Sequence, residues 1–230
     1  MTNNNAIRRD SDRGWRGEAF TYAADLHREQ VRKGKDTPYI AHLMAVASIV
    51  LEYGGDEDQA IAALLHDAVE DQGGARTREE IRARFGDTVV AYVDACTDTE
   101  EAPKPPWRIR KEQYIARLAH EPPEALLISA ADKLHNVRDI LKDLRGGRAG
   151  LWEVFKGGKS GTLWYYRALI DAYRAVMPSP LIDELGRAVN DLERAVGEPV
   201  PVEDVAASLH GDLLHVDSLD APGLGIRDQN

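Results

Sequence analysis

Apolar positions recur along this chain at intervals of three and four and seldom alternate, a pattern that predicts helices almost throughout. Trp15 to Lys33 carries apolar or small residues at Phe20, Ala23, Ala24, Leu26 and Val31. After a turn rich in Lys, Gly and Asp, Thr37-Pro38 reads as an N-cap followed by proline at the first helical position. That opens a helix through P-Y-I-A-H-L-M-A-V-A-S-I-V-L-E-Y, stopped at Gly54-Gly55. Asp56 then caps a helix expected to run unbroken to about Asp71. T-R-E-E, Thr77 to Glu80, has the form of a capping box for a short helix ending near Phe85. Asp87 to Asp98 is apolar and β-branched, but its length and neighbours favour helix over strand. A stiff proline-rich loop, Glu100 to Trp107, precedes helices expected at Arg108–Ala119, Pro123–Leu144, Leu151–Phe155, Thr162–Val176 and Leu181–Val196.

The fold class is therefore all-α, with one domain over residues 15–196, long enough to bury a single core. Residues 1–14 are expected to form a flexible N-terminus. Residues 197–230, rich in Pro, Gly and Asp, are expected to be a loosely attached or disordered extension. No apolar run approaches the roughly 18 residues of a membrane span, and the polar start M-T-N-N-N lacks the apolar core of a signal peptide. The one cysteine, Cys96, cannot form an internal disulfide, which fits a reducing cytoplasm.

Charge narrows the function classes. A net charge of −10 argues against a nonspecific binder of nucleic acid polymers. The cations are clustered nonetheless: R-K-G-K at Arg32 to Lys35, W-R-I-R-K at Trp107 to Lys111, and a series from Lys133 to Arg148. Local basic patches on an acidic body suit a small, highly charged anion. Gly158-Lys159-Ser160 ends like a P-loop, but Glu153 stands where the leading glycine belongs and no strand precedes it, so that reading fails.

The chemistry centres on A-L-L-H-D-A-V-E-D, Ala63 to Asp71. On a continuous helix, at about 100° per residue, His66, Asp67, Glu70 and Asp71 share one side and Leu64, Leu65, Ala68 and Val69 the other. Gln59, Ala60 and Ala63, mostly small, would leave space beside the charges one turn back. Three acids with no cation in the helix repel one another. A divalent metal removes that conflict, and histidine with carboxylate suits Mn²⁺, Fe²⁺ or Zn²⁺. His42 sits in an apolar helix expected to pack against the one bearing His66. Asp132 interrupts the apolar run A-L-L-I-S-A-A-D, where a carboxylate needs a cation or hydrogen bonds. Asn136 follows one turn later on the same face.

Taken together in this order, R-K before P-Y-I-A-H, then L-L-H-D-A-V-E-D, the Phe85-Gly86 turn and A-D-K-L-H-N-V-R are specific. The chain resembles the HD-domain superfamily of metal-dependent phosphohydrolases. More closely, it is similar to the hydrolase domain of the RelA/SpoT alarmone enzymes and to stand-alone small alarmone hydrolases of the Mesh1 type. The similarity runs from about Phe20 to Leu144. It implies an HD-domain helical bundle and a Mn²⁺, or another divalent transition metal, held by His42, His66, Asp67 and Asp132. It further implies that Glu70 and Asp71 serve hydrolysis, that Arg32 and Lys33 meet the nucleotide, and that Asn136 contacts the nucleoside. Arg138 is a further phosphate contact or a surface ion pair.

The activity implied is removal of the 3′-pyrophosphate of (p)ppGpp, giving GDP or GTP, with hydrolysis alone and no synthesis. Leu43, where the family usually has proline, and the segments Thr97–Trp107 and Gly161–Arg167 depart from the long alarmone enzymes. These departures leave other small phosphorylated nucleotides open, namely ppApp, NADPH or a dNTP, and also a non-catalytic nucleotide sensor. Retention of all six metal-site and Glu-Asp residues counts against the sensor. The remaining histidines, His27, His120, His135, His210 and His215, are read as structural, with His135 near enough to Asp132 to support it.

Overall fold

The computed structural model describes residues 15–99 and 103–197; the 1–14 segment and all but the first residue of the 197–230 extension lie outside them. The described residues are helical, with an isolated antiparallel bridge between Val31 and Pro38 and no longer strand. No described helix is long and apolar enough to cross a membrane.

The first half of the chain forms α1 (Trp15–Leu26), α2 (Ile40–Glu52), α3 (Glu57–Leu65), the short α4 (Ala68–Asp71), α5 (Ala75–Phe85) and α6 (Asp87–Cys96). The second half forms α7 (Trp107–Arg117), α8 (Pro123–Arg145), α9 (Gly158–Val176) and α10 (Pro180–Val196), with single 3₁₀ turns at Leu118–His120 and Leu151–Val154.

Helix α3 lies at the centre, packed against α1, α2, α6 and α8. Its start is set locally by a reciprocal capping box. The Asp56 carboxylate accepts from the Gln59 amide, and the Gln59 side chain accepts from the Asp56 amide, both at 2.9 Å. The free end of Gln59 donates to the Glu124 carbonyl at 3.0 Å, pinning α3 to the first turn of α8. Every residue from Gln59 to Leu65 is buried. Ala60 and Ala63 are therefore contact residues that let neighbouring helices approach, not the edge of an open space as the helical projection suggested. Ile61, Leu64 and Leu65 each bring about 1.5–3 kcal/mol of apolar burial to this centre.

Two expected helix starts shift. Helix α2 begins at Ile40 rather than at Pro38, because Thr37 and Pro38 belong to a hairpin-like turn: the Arg32 amide donates to the Thr37 carbonyl at 2.9 Å, and Val31 bridges Pro38. The residue before a proline also favours extended backbone. Helix α5 begins at Ala75, two residues before the supposed cap. Gly73 and Gly74 both take positive φ (118° and 59°), which reverses the chain early. Thr77 then lies buried inside the helix and donates back to the Gln72 carbonyl.

Helix α8 is the long member, spanning about 35 Å at 1.5 Å per residue. It opens with Pro123 in the first turn. One stripe of it carries Asp132, Asn136, Asp139 and Asp143, spaced four, three and four apart. Its other side packs on α10, whose buried Leu181, Ile182, Leu185, Val189 and Leu192 repeat at helical intervals.

Candidate functional site

The stripe on α8 faces a cleft of about 390 Å³ that is also lined by the α1–α2 connection, by Asp67, Glu70 and Asp71, and by α7 and α9. The expected unbroken helix through this region divides at His66-Asp67. Helix α3 ends at Leu65, and Asp67 takes φ −99°, ψ −1°, in the bridge region that turns and active-site residues often use. The break lets His66 stay buried while Asp67, Glu70 and Asp71 reach the cleft.

Four side chains from three helical segments converge at its floor. His66 Nδ1 donates to the Ala63 carbonyl at 2.8 Å, so its Nε2 points inward. His66 Nε2 lies 3.1 Å from Asp67 Oδ2 and 3.7 Å from Asp132 Oδ1. His42 Nε2 lies 3.2 Å from Asp132 Oδ1 and 3.8 Å from Asp67 Oδ2. His42 Nδ1 is engaged by His135 Nδ1 at 2.7 Å, which orients the ring from behind. Among the described residues, both Nε2 atoms are buried and face these carboxylates without a well-formed hydrogen bond.

These separations suit a shared cation. Two donors each about 2.1 Å from one ion sit about 3.0 Å apart at a right angle and about 3.4 Å apart at a tetrahedral angle. Without a metal, a proton takes part of that place: burial opposes charging His66, but Asp67 and Asp132 outweigh it and hold its pKa well above the usual histidine range. Burial likewise works against the Asp132 carboxylate, yet Lys133 at 2.6 Å and the two histidines keep it well below the ordinary range. Asn136 donates to Asp132 Oδ1 at 2.5 Å, and the Tyr39 hydroxyl donates to Asp67 Oδ2 at 2.5 Å.

Glu70 and Asp71 stand in different surroundings. Glu70 accepts from Lys104 Nζ at 2.8 Å and from the Asp98 amide at 3.1 Å. Asp71 accepts from the neutral Gln30 side chain at 2.9 Å, and burial together with nearby Asp67 pushes its pKa up.

The cleft concentrates cations on a chain that is acidic overall, with nine Lys or Arg side chains against seven carboxylates in its lining. Arg32 donates to Asn136 Oδ1 at 2.6 Å, lies 5.6 Å from the Tyr39 ring, and reaches Asp139 at 3.4 Å. Lys33 also lines the cleft. Arg138 does not: it turns away and pairs with Glu184 of α10 at 3.1 Å, the surface ion pair that stood as the alternative for it.

Arg148, which no motif singled out, clamps the loop that carries Arg32 and Lys33. It donates to the Gly34 and Lys33 carbonyls and to Asp143 at 2.7 Å, while Lys35 joins Asp139 at 2.7 Å and Asp143 at 2.8 Å. Gly34 has φ 64°, and a Cβ there would lie 2.1 Å from the Arg148 guanidinium. Arg148→Ala is therefore expected to raise KM about tenfold, the scale of one or two charge-assisted hydrogen bonds, with metal content and kcat near wild type. Steady-state kinetics beside metal analysis checks this.

A family model described as an HD domain matches residues 19–150, and the chain belongs to that family. The all-α HD-type bundle expected from the sequence is the fold observed. Within the family, it is 42% identical over 126 residues to the guanosine-3′,5′-bis(diphosphate) 3′-pyrophosphohydrolase MESH1 of Xenopus tropicalis, covering 54% of this chain and 68% of that protein. Human MESH1 is 40% identical over the same length and shares. A 3′-pyrophosphohydrolase of Aquifex aeolicus is 34% identical over 122 residues, 53% of this chain but 17% of that longer protein. A solved structure described as a metazoan ortholog of SpoT that hydrolyzes ppGpp superposes with a TM-score of 0.62 at 27% identity, covering 84% of this chain and 98% of that one.

Proposed function

We propose that this protein is a metal-dependent 3′-pyrophosphohydrolase of (p)ppGpp, releasing pyrophosphate and leaving GDP or GTP. The observation that carries the reading is the pair of buried Nε2 atoms of His42 and His66 aimed inward between the Asp67 and Asp132 carboxylates, at the floor of a cation-lined cleft. The names and activities of the MESH1 relatives support the substrate. His42, His66, Asp67 and Asp132 would hold a divalent ion; their mixed nitrogen and carboxylate donors fit a first-row transition metal, and the family resemblance favours Mn²⁺ among these. When bound, such an ion supplies Lewis acidity toward water and toward a phosphoryl oxygen.

The chain's own groups supply the rest. Glu70 and Asp71 orient water, take its proton and return a proton to the ribose 3′ oxygen as the P–O3′ bond breaks. Arg32 and Lys33 bring positive charge to the nucleotide phosphates, and the planar Arg32 guanidinium, already beside the Tyr39 ring, offers a stacking face to the base. Asn136, held between Arg32 and Asp132, is placed to contact the nucleoside. The reaction belongs to the cytoplasm, with a small nucleotide as the partner and neither polymer nor membrane involved.

Incubating Mn²⁺-loaded protein with ppGpp, ppApp, NADPH and several dNTPs tests the assignment. Pyrophosphate should be released from ppGpp with the highest kcat/KM of the set. No pyrophosphate from ppGpp, or a clear preference for NADPH or a dNTP, would replace the assignment with another nucleotide of the same class.

A further inference from the structure

One wall of the cleft holds more positive charge than its carboxylates balance. Lys104 faces Glu70 at 2.8 Å, Lys133 faces Asp132 at 2.6 Å, and Arg110 and Lys111 share the single carboxylate of Asp98, Lys111 at 3.0 Å. These are four cations on three carboxylates. Two of those carboxylates, Glu70 and Asp132, have other work in the proposed reaction. Lys111 shows the crowding directly: burial pushes its pKa down against the pull of Asp98, and neighbouring Lys133 and Arg110 push it further. Beside it, Tyr165 is 7% exposed, and its hydroxyl is buried with no hydrogen-bond partner among the described residues. The Tyr165 ring lies 5.0 Å from Lys111 Nζ, and both residues line the cleft. A buried hydroxyl without a partner among the described residues, on a ring that surplus ammonium charge faces, is unfavourable until an anion with acceptor oxygens arrives.

The position of this wall says which part of the substrate it takes. Lys104 and Lys133 touch Glu70 and Asp132 directly, so the wall adjoins the place where the phosphorus reacts. Arg32 and Lys35 gather further along α8, at Asn136, Asp139 and Asp143. We propose that Lys111 and the Tyr165 hydroxyl form a subsite for the distal phosphoryl group of a 3′-diphosphate. The inference rests on the 3′-pyrophosphohydrolase reading above and adds the feature that makes the transferred group pyrophosphoryl rather than phosphoryl. Water oxygen bonds to the proximal phosphorus, and the P–O3′ bond breaks. The 3′ oxygen takes a proton, and pyrophosphate departs with the water oxygen while its distal end remains on Lys111 and Tyr165.

The test is calorimetric titration of inorganic pyrophosphate, and separately of orthophosphate, into the metal-loaded protein at fixed free Mn²⁺. Tyr165→Phe removes an oxygen that has no partner among the described residues, so the fold is retained; Lys111→Met removes the charge. Each should weaken pyrophosphate binding about tenfold or more while changing orthophosphate less than about threefold. In turnover, both variants should lose kcat/KM on ppGpp by a similar factor and leave the corresponding 3′-monophosphate unaffected. Wild-type pyrophosphate affinity in Tyr165→Phe, or equal losses for both anions, would overturn the subsite. A wild-type protein that binds pyrophosphate through Tyr165 yet releases none from ppGpp would instead overturn the substrate assignment and uphold the subsite.

Discussion

Asp67→Asn is expected to lose the divalent ion and about a thousandfold in kcat together, the equivalent of several kcal/mol of charge stabilisation. Asp67 Oδ2 is the oxygen nearest His66 Nε2, at 3.1 Å, and it also reaches toward His42 at 3.8 Å. An amide oxygen in its place is neutral and a poorer ligand, which leaves Asp132 as the one carboxylate among the four ligands to offset a dication. The substitution keeps the acceptor for Tyr39, which donates to this oxygen at 2.5 Å. In the metal-free protein it also loses the partner of buried, charged His66, so the metal-free melting temperature should fall as well. Metal content by elemental analysis, kcat in excess Mn²⁺ and the melting temperature of the metal-free protein separate these effects. Full metal occupancy in Asp67→Asn would remove Asp67 from the ligand set.

The parts of this molecule that were legible in sequence are those in which local spacing decides the outcome. Asp56 followed three residues later by Gln59 makes its capping box from adjacent chain, and Pro123 opens α8 through its own fixed φ. The convergence of His42, His66 and Asp132 was also within reach, since a buried carboxylate or imidazole in an apolar helix announces an unmet need wherever it lies. Misplaced helix starts arose where tertiary or neighbouring hydrogen bonds overrode a local signal. Thr37 is occupied by the Arg32 amide, and Thr77 is drawn back to Gln72. The break at Asp67 is invisible in H-D-A-V-E-D because no glycine or proline marks it: His66 keeps helical dihedrals, and Asp67 alone moves in both φ and ψ to −99° and −1°.

The cations were harder to place. Lys104 and Arg148 come from loops and Lys111 from the middle of α7, and nothing in their spacing names Glu70, Asp98 or Asp143 as partners. Arg138 shows the opposite hazard. It follows Asn136 by two residues in a recognisable motif, but two residues on a helix is about 200°, and that turns it toward α10 and Glu184. Motif membership located a segment, whereas helix geometry decided which of its side chains meets the cleft.

Glu70→Gln is expected to keep the metal and lower kcat by about 10²- to 10⁴-fold, the span of a lost general acid–base group, with little change in KM. Glu70 is not among the four side chains around the inward-facing Nε2 atoms, so metal occupancy should match wild type. Glutamine reproduces its length and can still accept from the Asp98 amide, which now donates at 3.1 Å, so the side chain should stay in position. What it cannot do is take a proton from water. The ammonium of Lys104, 2.8 Å from the carboxylate in the present structure, would lose its anion and turn toward the substrate phosphates, which favours binding over turnover. A large fall in kcat with unchanged metal content and an unchanged or lower KM is therefore the signature of Glu70 acting on the proton. Normal turnover in Glu70→Gln would exclude that role and leave Asp71, which lines the cleft and is paired with neutral Gln30, as the group that handles it.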